Sequence, residues 1–306
     1  MSTQDPHKKD IDSVTGIETT GHEWDGIKEL NNPAPRWWLW VFYVSVVFSI
    51  GYWLIYPAWP TLSGHTGGNK GWTEYSQLKE DQAEQVLERA GLDTKIDTAS
   101  LKDIKADPKL YEFARAAGAA AFRTNCTVCH GSGGQGGKGF PNLVDDDWIW
   151  GGTLDDIYTT IRYGVRSTSS NTRQSQMPAW GKDGLLKSDE IEAVATYVEE
   201  LHLPGKKGEQ SAVSAQGAKI FADNCTVCHG EKGEGMQTVG APRLNDNIWL
   251  YGGEHATIVE SIYNSRAGVM PTWEGRLSDA TIKELAIFVH SLGGGVEAGA
   301  EPTTAP

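Results

Sequence analysis

The sequence predicts an all-α chain: one N-terminal transmembrane helix followed by two tandem helical domains of the same kind. Three observations predict it. Residues 37–56 read WWLWVFYVSVVFSIGYWLIY, twenty residues without a charge. The pentapeptide Cys-Thr-Val-Cys-His occurs twice, at 126–130 and 225–229, and uses all four cysteines. Around the two copies the chain repeats itself, and a repeat of this length marks duplicated structural units.

The N-terminal lead comes first. Residues 1–36 are polar, show no clear hydrophobic period and end in Asn31-Asn32-Pro33-Ala34-Pro35. Those prolines stop any helix ahead of the apolar run. At about 1.5 Å per residue, a twenty-residue helix crosses a hydrocarbon layer of roughly 30 Å. Trp37, Trp38 and Trp40 cluster at one end, and Trp53, Tyr56 and Trp59 at the other, as membrane-interface aromatics do. A cleaved signal peptide would have a shorter apolar core, a small-residue cleavage site and a shorter basic lead. Here the lead carries seven acids against four bases, and Pro57-Ala58-Trp59-Pro60 follows. Residues 37–58 therefore read as an uncleaved anchor. Residues 59–107 follow as a spacer with a charged helical stretch at 73–92, ending at Gly91.

Two repeat units occupy 108–204 and 211–294. Gly118 to Cys126 aligns with Gly217 to Cys225, Pro141-Asn142-Leu143 with Pro242-Arg243-Leu244, and Trp148 with Trp249. Gly151-Gly152 matches Gly252-Gly253, Ile157 and Ile161 match Ile258 and Ile262, and Met177-Pro178-Ala179-Trp180 matches Met270-Pro271-Thr272-Trp273. Each unit closes on an amphipathic helix: Ile191, Val194, Ala195 and Val198, then Ile282, Leu285, Ala286 and Val289. Ser188 and Ser278 stand at the expected N-caps, with Glu190 and Asp279 in the first turns. The polar run Arg166–Gln176 is an insertion expected to form a surface loop. Leu203 to Gly208 links the units, and 295–306 is expected to be a disordered tail.

Cys-x-x-Cys-His is the attachment signature of c-type haem. Two thiols add to the haem vinyl groups, and the adjoining histidine reaches the iron. A dithiol or zinc site is the competing chemistry, but neither needs a histidine directly after both pairs. Two covalently bound haem c groups are therefore expected, on Cys126, Cys129 and His130 and on Cys225, Cys228 and His229. The sixth iron ligand decides function, because methionine gives a higher-potential carrier and an open position allows small-molecule chemistry. Of four methionines, Met1 is the start and Met236 lies seven residues past His229. Met177 and Met270 lie 47 and 41 residues past their histidines, each before a proline, and are the candidate axial ligands. The residues leave two pairings open: each methionine with its own unit's haem, or each with its neighbour's. His65, His202, His255 and His290 occupy no matched positions and read as surface or core residues; His7 and His22 lie before the span.

The order helix, haem motif, glycine-rich loop, short helix, methionine loop, helix resembles the all-α cytochrome c fold, so two tandem cytochrome c domains are expected. With Gly21-His22-Glu23-Trp24-Asp25-Gly26-Ile27-Lys28-Glu29-Leu30-Asn31-Asn32-Pro33, then Pro35-Arg36-Trp37-Trp38, the chain looks like the dihaem subunit of cbb3-type cytochrome c oxidase, the CcoP or FixP type. The resemblance covers nearly the whole chain. It implies a bacterial respiratory oxidase whose catalytic subunit holds haem b and a haem–copper centre, beside a monohaem c subunit. In that scheme this subunit takes electrons from soluble cytochrome c or the quinol–cytochrome c reductase and passes them inward, with no bond chemistry of its own. Proton translocation belongs to the complex. The resemblance also makes the crossed methionine pairing a serious alternative.

Haem attachment outside the cytoplasmic membrane places the N-terminus in the cytoplasm and both units in the periplasm. The formal charge of −13 argues against nucleic acid as a partner. Residues 1–36 account for −3 of it, leaving −10 outside, a surface that would steer a basic donor. A free-standing membrane-anchored dihaem carrier shares every motif. A dihaem peroxidase would need one open iron, against which the matched Met-Pro pair argues. Oxygen or CO sensing by the second unit stays open.

Overall fold

The structure is a computed structural model that describes residues 10–203 and 212–297. His7, most of the linker and the tail beyond Glu297 lie outside the described residues. The chain divides into two compact units, up to Leu87 and from Glu88 onward.

The first unit opens on a hairpin, β1 (Thr19–Trp24) against β2 (Ile27–Leu30), which the polarity of the lead had not suggested. Asp25 and Gly26 both take positive φ, 48° and 85°, the backbone that a two-residue hairpin turn requires. Helix α1 (Arg36–Ile55) has a mean hydropathy of 1.8 and buries none of its residues within the chain. A helix apolar all round and unburied is suited to lipid. It ends at Ile55 rather than 58, because Pro57 holds Tyr56 extended. Its last carbonyls are not left orphaned: Asn69 N–H donates to Leu54 O at 2.9 Å and Lys70 N–H to Ile55 O at 3.2 Å. A two-residue pair, β3 (Pro60–Thr61) with β4 (Gly64–His65), fills the turn between.

Helix α2 (Glu74–Thr98) runs on through Gly91, which has open space around it and does not end the helix. Its last turns belong to the second unit. There Ile96, with Leu101 and Ile104 of α3 (Leu101–Ala106), is buried in a hydrophobic core, so the C-terminal part of the expected spacer is core structure. Ser100 caps α3 by accepting from Asp103 N–H, and Asp107 caps α4 (Pro108–Asn125) by accepting from Lys109 and Leu110 N–H. Pro108 takes the first helical position, where no N–H is needed.

The remaining helices are α5 (Thr127–His130), α6 (Leu154–Tyr163), α7 (Ser188–His202), α8 (Ala212–Asn224), α9 (Thr226–His229), α10 (His255–Asn264) and α11 (Asp279–His290). They assemble across the repeat boundary. Helix α4 of the first repeat packs on α11 of the second, and α6 joins them. Helix α7 of the first repeat packs on α8 of the second, joined by α10. Only nine residues separate α7 from α8, which makes them packing neighbours and leaves α4 to be covered by α11. The two crossings are near copies. Phe122 meets Phe288 with ring centroids 5.3 Å apart and planes at 57°, and Phe221 meets Tyr197 with the same two values. Gly118 and Gly217 sit at the crossing points, where a Cβ would run into the backbone of Glu284 and of Ala193.

The apolar positions expected to face the core on the two closing helices are all buried. Ser278 caps α11 by accepting from Thr281 N–H. On α7 the cap lies one residue earlier than expected: Ser188 is already helical, and the Glu190 carboxylate accepts from Lys187 N–H at 2.8 Å. The Arg166–Gln176 insertion is partly exposed and tied down: Ser167 N–H donates to Thr172 Oγ1 within it, and Arg173 Nε donates to Thr160 Oγ1 of α6.

Candidate functional site

Each Cys-Thr-Val-Cys-His motif forms one helical turn continuing from the helix before it. Cys126 N–H donates to Phe122 O at 2.8 Å and His130 N–H to Cys126 O at 2.9 Å; Cys225 and His229 repeat both distances with Phe221 O and Cys225 O. One turn places the first cysteine, the second at i+3 and the histidine at i+4 on one face. Gly131 and Gly230, at φ 77° and 79°, end the turns.

Both histidines are oriented by a second contact. His130 Nδ1 lies 3.1 Å from Pro141 O, and His229 Nδ1 lies 3.0 Å from Pro242 O. A proton on Nδ1 donated to these carbonyls leaves the Nε2 lone pair to face a metal. Burial holds both imidazoles below the usual histidine range, opposed only by the proline carbonyl, so the neutral form is favoured. Burial likewise pushes the Cys126 and Cys225 thiols up to about 11. The proline–leucine match was visible in the repeat, but the role of its carbonyl was not.

The two motifs open into one continuous cavity of about 1010 Å³, lined by both histidines, all four cysteines, Met177 and Met270. That volume reaches the upper end of the ~300–1,000 Å³ usual for one small-molecule site. Large apolar walls with a few fixed donor atoms suit a planar tetrapyrrole, with two thiols and one imidazole at each end. The residues present fit haem c.

The methionine loops are clamped crosswise. Met270 packs in the core that contains Cys126, Phe122 and Ile157, and exchanges N–H···O bonds with Val165 at 3.0 Å in each direction. Thr272 Oγ1 and the N–H groups of Trp273 and Glu274 all donate to Arg162 O, at the end of α6. The Arg162 guanidinium in turn holds Glu274 and Asp279. Met177 packs instead in the core that contains Cys225, Phe221 and Ile258. Trp180 N–H donates to Ile262 O, Gly181 and Lys182 N–H donate to Tyr263 O, and Ser265 Oγ donates to Met177 O. Each methionine therefore shares a core with the other repeat's haem motif.

A matched aromatic pair lies along the seam. Trp150 and Tyr251 occupy equivalent positions, and each reaches the other repeat: Trp150 packs on Gly240, Tyr251 on Gly139. Arg173 lies over Trp150 at 5.6 Å and Arg266 over Tyr251 at 4.7 Å. Sequence reasoning passed over this pair, although the aligned Trp148 and Trp249 two residues earlier would have located it. Also at the seam, Asp147 is raised to about 6 by burial and then by Asp246, against the pull of Arg243 3.9 Å away.

The other histidines are engaged elsewhere. His255 bridges Glu192 and Glu199 at 2.9 and 3.1 Å, His202 packs edge-on against Trp249, and His290 lies 3.2 Å from Val296 O. Met236 is part exposed and pairs through its backbone with Ala241.

Fold and site together define a membrane-associated chain with paired cytochrome c domains. Two family models match it: the N-terminal domain of FixP of cytochrome oxidase cbb3, over residues 16–63, and cytochrome c oxidase, cbb3-type, subunit III, over 113–198 and 212–289. The cbb3-type cytochrome c oxidase subunit FixP of Bradyrhizobium diazoefficiens is 53% identical over 94% of this chain and 98% of its own length. Subunit CcoP of Cereibacter sphaeroides is 50% identical over 90% and 95%, and CcoP of Azospirillum brasilense 46% over 94% and 99%. The chain belongs to the FixP/CcoP family of cbb3-type cytochrome c oxidase subunits, and is an electron-transfer cytochrome c subunit.

Proposed function

We propose that the chain carries two covalent haem c groups, one on Cys126, Cys129 and His130, the other on Cys225, Cys228 and His229, with crossed methionines. Met270 completes the iron of His130, and Met177 the iron of His229. The observation that carries this reading is the crosswise clamp, which seats each methionine in the core of the other repeat's motif. Haem bound there supplies a reversible one-electron couple, and methionine ligation favours a high potential. The chain's own residues fix the imidazoles through Pro141 and Pro242, exclude water with apolar walls and set the two sites side by side in one cavity.

In this reading helix α1 anchors the subunit in the bacterial inner membrane, N-terminus in the cytoplasm and haem domains in the periplasm. Electrons enter from soluble cytochrome c or the quinol–cytochrome c reductase and pass toward the haem b and copper subunit, with a monohaem c subunit as a further partner in the complex. The −10 charge beyond residue 36 supports a basic donor. The test is purification in mild detergent through a C-terminal tag, with assays for haem c, haem b and copper, and oxygen uptake with reduced donor. Co-purifying haem b and copper with oxygen consumption is expected, with uptake falling as salt rises. Haem c alone, fully reducible and silent with oxygen under conditions that retain a reference oxidase intact, would overturn it.

A further inference from the structure

The two methionine clamps differ at one matched position. Helix α6 ends at Gly164, with φ 73°, and a Cβ there would meet the Met270 carbonyl. The close approach lets Val165 and Met270 pair backbone to backbone, at 3.0 Å in both directions. Helix α10 ends at Ser265, which holds φ at 60° without being glycine. A side chain on such a backbone is strained and persists where its surroundings require it.

The Ser265 hydroxyl has a specific task. Its Oγ donates to Met177 O at 2.6 Å. Among the described residues, no backbone bond takes the place of the Val165–Met270 pairing at Met177. The neighbouring ties lie on either side: Arg166 Nη1 donates to Ser175 O two residues earlier, and the bonds from Trp180, Gly181 and Lys182 begin three residues later. We infer that Ser265 is a positioning residue for Met177, its hydroxyl doing with a side chain what two main-chain bonds do for Met270. The inference rests on Met177 being an axial ligand. It makes the two sulfur ligands unequal: at the methionine itself, Met270 is held by two main-chain bonds and Met177 by one hydroxyl.

The test uses the full-length haem-loaded chain in detergent, with haem content checked for each variant. Ferric methionine-ligated haem shows a sulfur-to-iron charge-transfer band in the red, and imidazole is the probe that competes for the sulfur's place. Ser265→Ala keeps the strain and removes the hydroxyl; Ser265→Gly removes both; Ser265→Thr retains the hydroxyl. Both Ser265→Ala and Ser265→Gly are expected to tighten imidazole binding at one of the two haems by about three- to tenfold, the worth of one neutral hydrogen bond. Ser265→Thr keeps the hydroxyl on a more strained, β-branched residue and is expected to fall between the parent and Ser265→Ala. If the residue serves only the turn, Ser265→Gly will match or exceed the parent in resisting imidazole, and the inference falls. Met177→Ala separates the two claims. It should remove up to half of the charge-transfer band without imidazole. A full band in Met177→Ala overturns the ligand assignment, whereas half a band with unchanged Ser265 variants overturns the positioning role alone.

Discussion

Replacing Gly118 by alanine tests the crossed packing at one of its two close crossing points. Alanine normally stabilises a helix interior by up to about 1 kcal/mol over glycine. At Gly118 the added methyl would lie 2.6 Å from the carbonyl carbon of Glu284 and 2.8 Å from Phe288 Cβ, both on α11. Neither is the end of a flexible side chain, so α4 and α11 must separate. Overpacking of that kind costs about 1–3 kcal/mol, leaving a net loss of up to about 2 kcal/mol after the full propensity gain. For a unit of this size that lowers the melting temperature by up to about 6 °C. Gly91 supplies the control, because it lies in the interior of α2 with nothing within 4 Å. Gly91→Ala should raise the midpoint by about 1–3 °C. Thermal melts of both variants, followed by far-ultraviolet circular dichroism, decide the matter. A shift of the same sign in the two would refute the reasoning, since it would mean that α4 does not meet α11 at Gly118.

Other consequences concern charge. His255 is raised above the usual histidine range, first by Glu192 and against some burial, and then by Glu199. The stabilisation from this clasp between α10 and α7 is fully present below about pH 6.5 and is lost as pH rises through the higher folded value. The groups are partly exposed, so the effect stays under about 1 kcal/mol, and His255→Gln should flatten a stability profile measured across pH 6–9 by that amount. Glu284 on α11 is 2% exposed and is pushed up to about 7 by burial, against the attraction of Arg89 3.6 Å away. Being raised, it favours folding while protonated, and about 3 kcal/mol is lost as pH climbs from 4 to above 7. Glu284→Gln should therefore be more stable than the parent at pH 8, whereas Arg89→Met should be less stable, since it leaves the carboxylate unpaired. Denaturant midpoints at pH 5 and pH 8 read both; a Glu284→Gln variant weaker at pH 8 would contradict the assigned burial.

Much of the fold was legible because it rests on local pattern. The repeat located both haem motifs, both methionine loops and the apolar faces of α7 and α11, whose expected core residues are all buried. The pairing of those faces was not legible. Gly118 and Gly217, and Phe122 and Phe221, present the same surface, so either closing helix fits either partner, and only the short α7–α8 connection decides. Residues 96–104 were read as spacer because their three large apolar side chains stand among charges without a sustained period, and packing in the core with α4 and α11 reveals their role. The hairpin at 19–30 carried a recognisable signal, Asp25-Gly26 between two short strands, which the polarity of the lead concealed. The Ser265 contact has no sequence signature, since a serine aligned with Gly164 reads as a neutral change until its φ and its partner are seen.

The crossed pairing of methionine with haem is the centre of the account, and a chain with a single haem tests it directly. Cys126→Ser with Cys129→Ser leaves only the haem of Cys225, Cys228 and His229. In that background Met177→Leu and Met270→Leu are made separately, and the red charge-transfer band of the ferric protein is recorded. Crossed ligation predicts that Met177→Leu abolishes the band and Met270→Leu leaves it in place. Loss of the band in Met270→Leu, with its survival in Met177→Leu, would show that each haem takes the methionine of its own repeat.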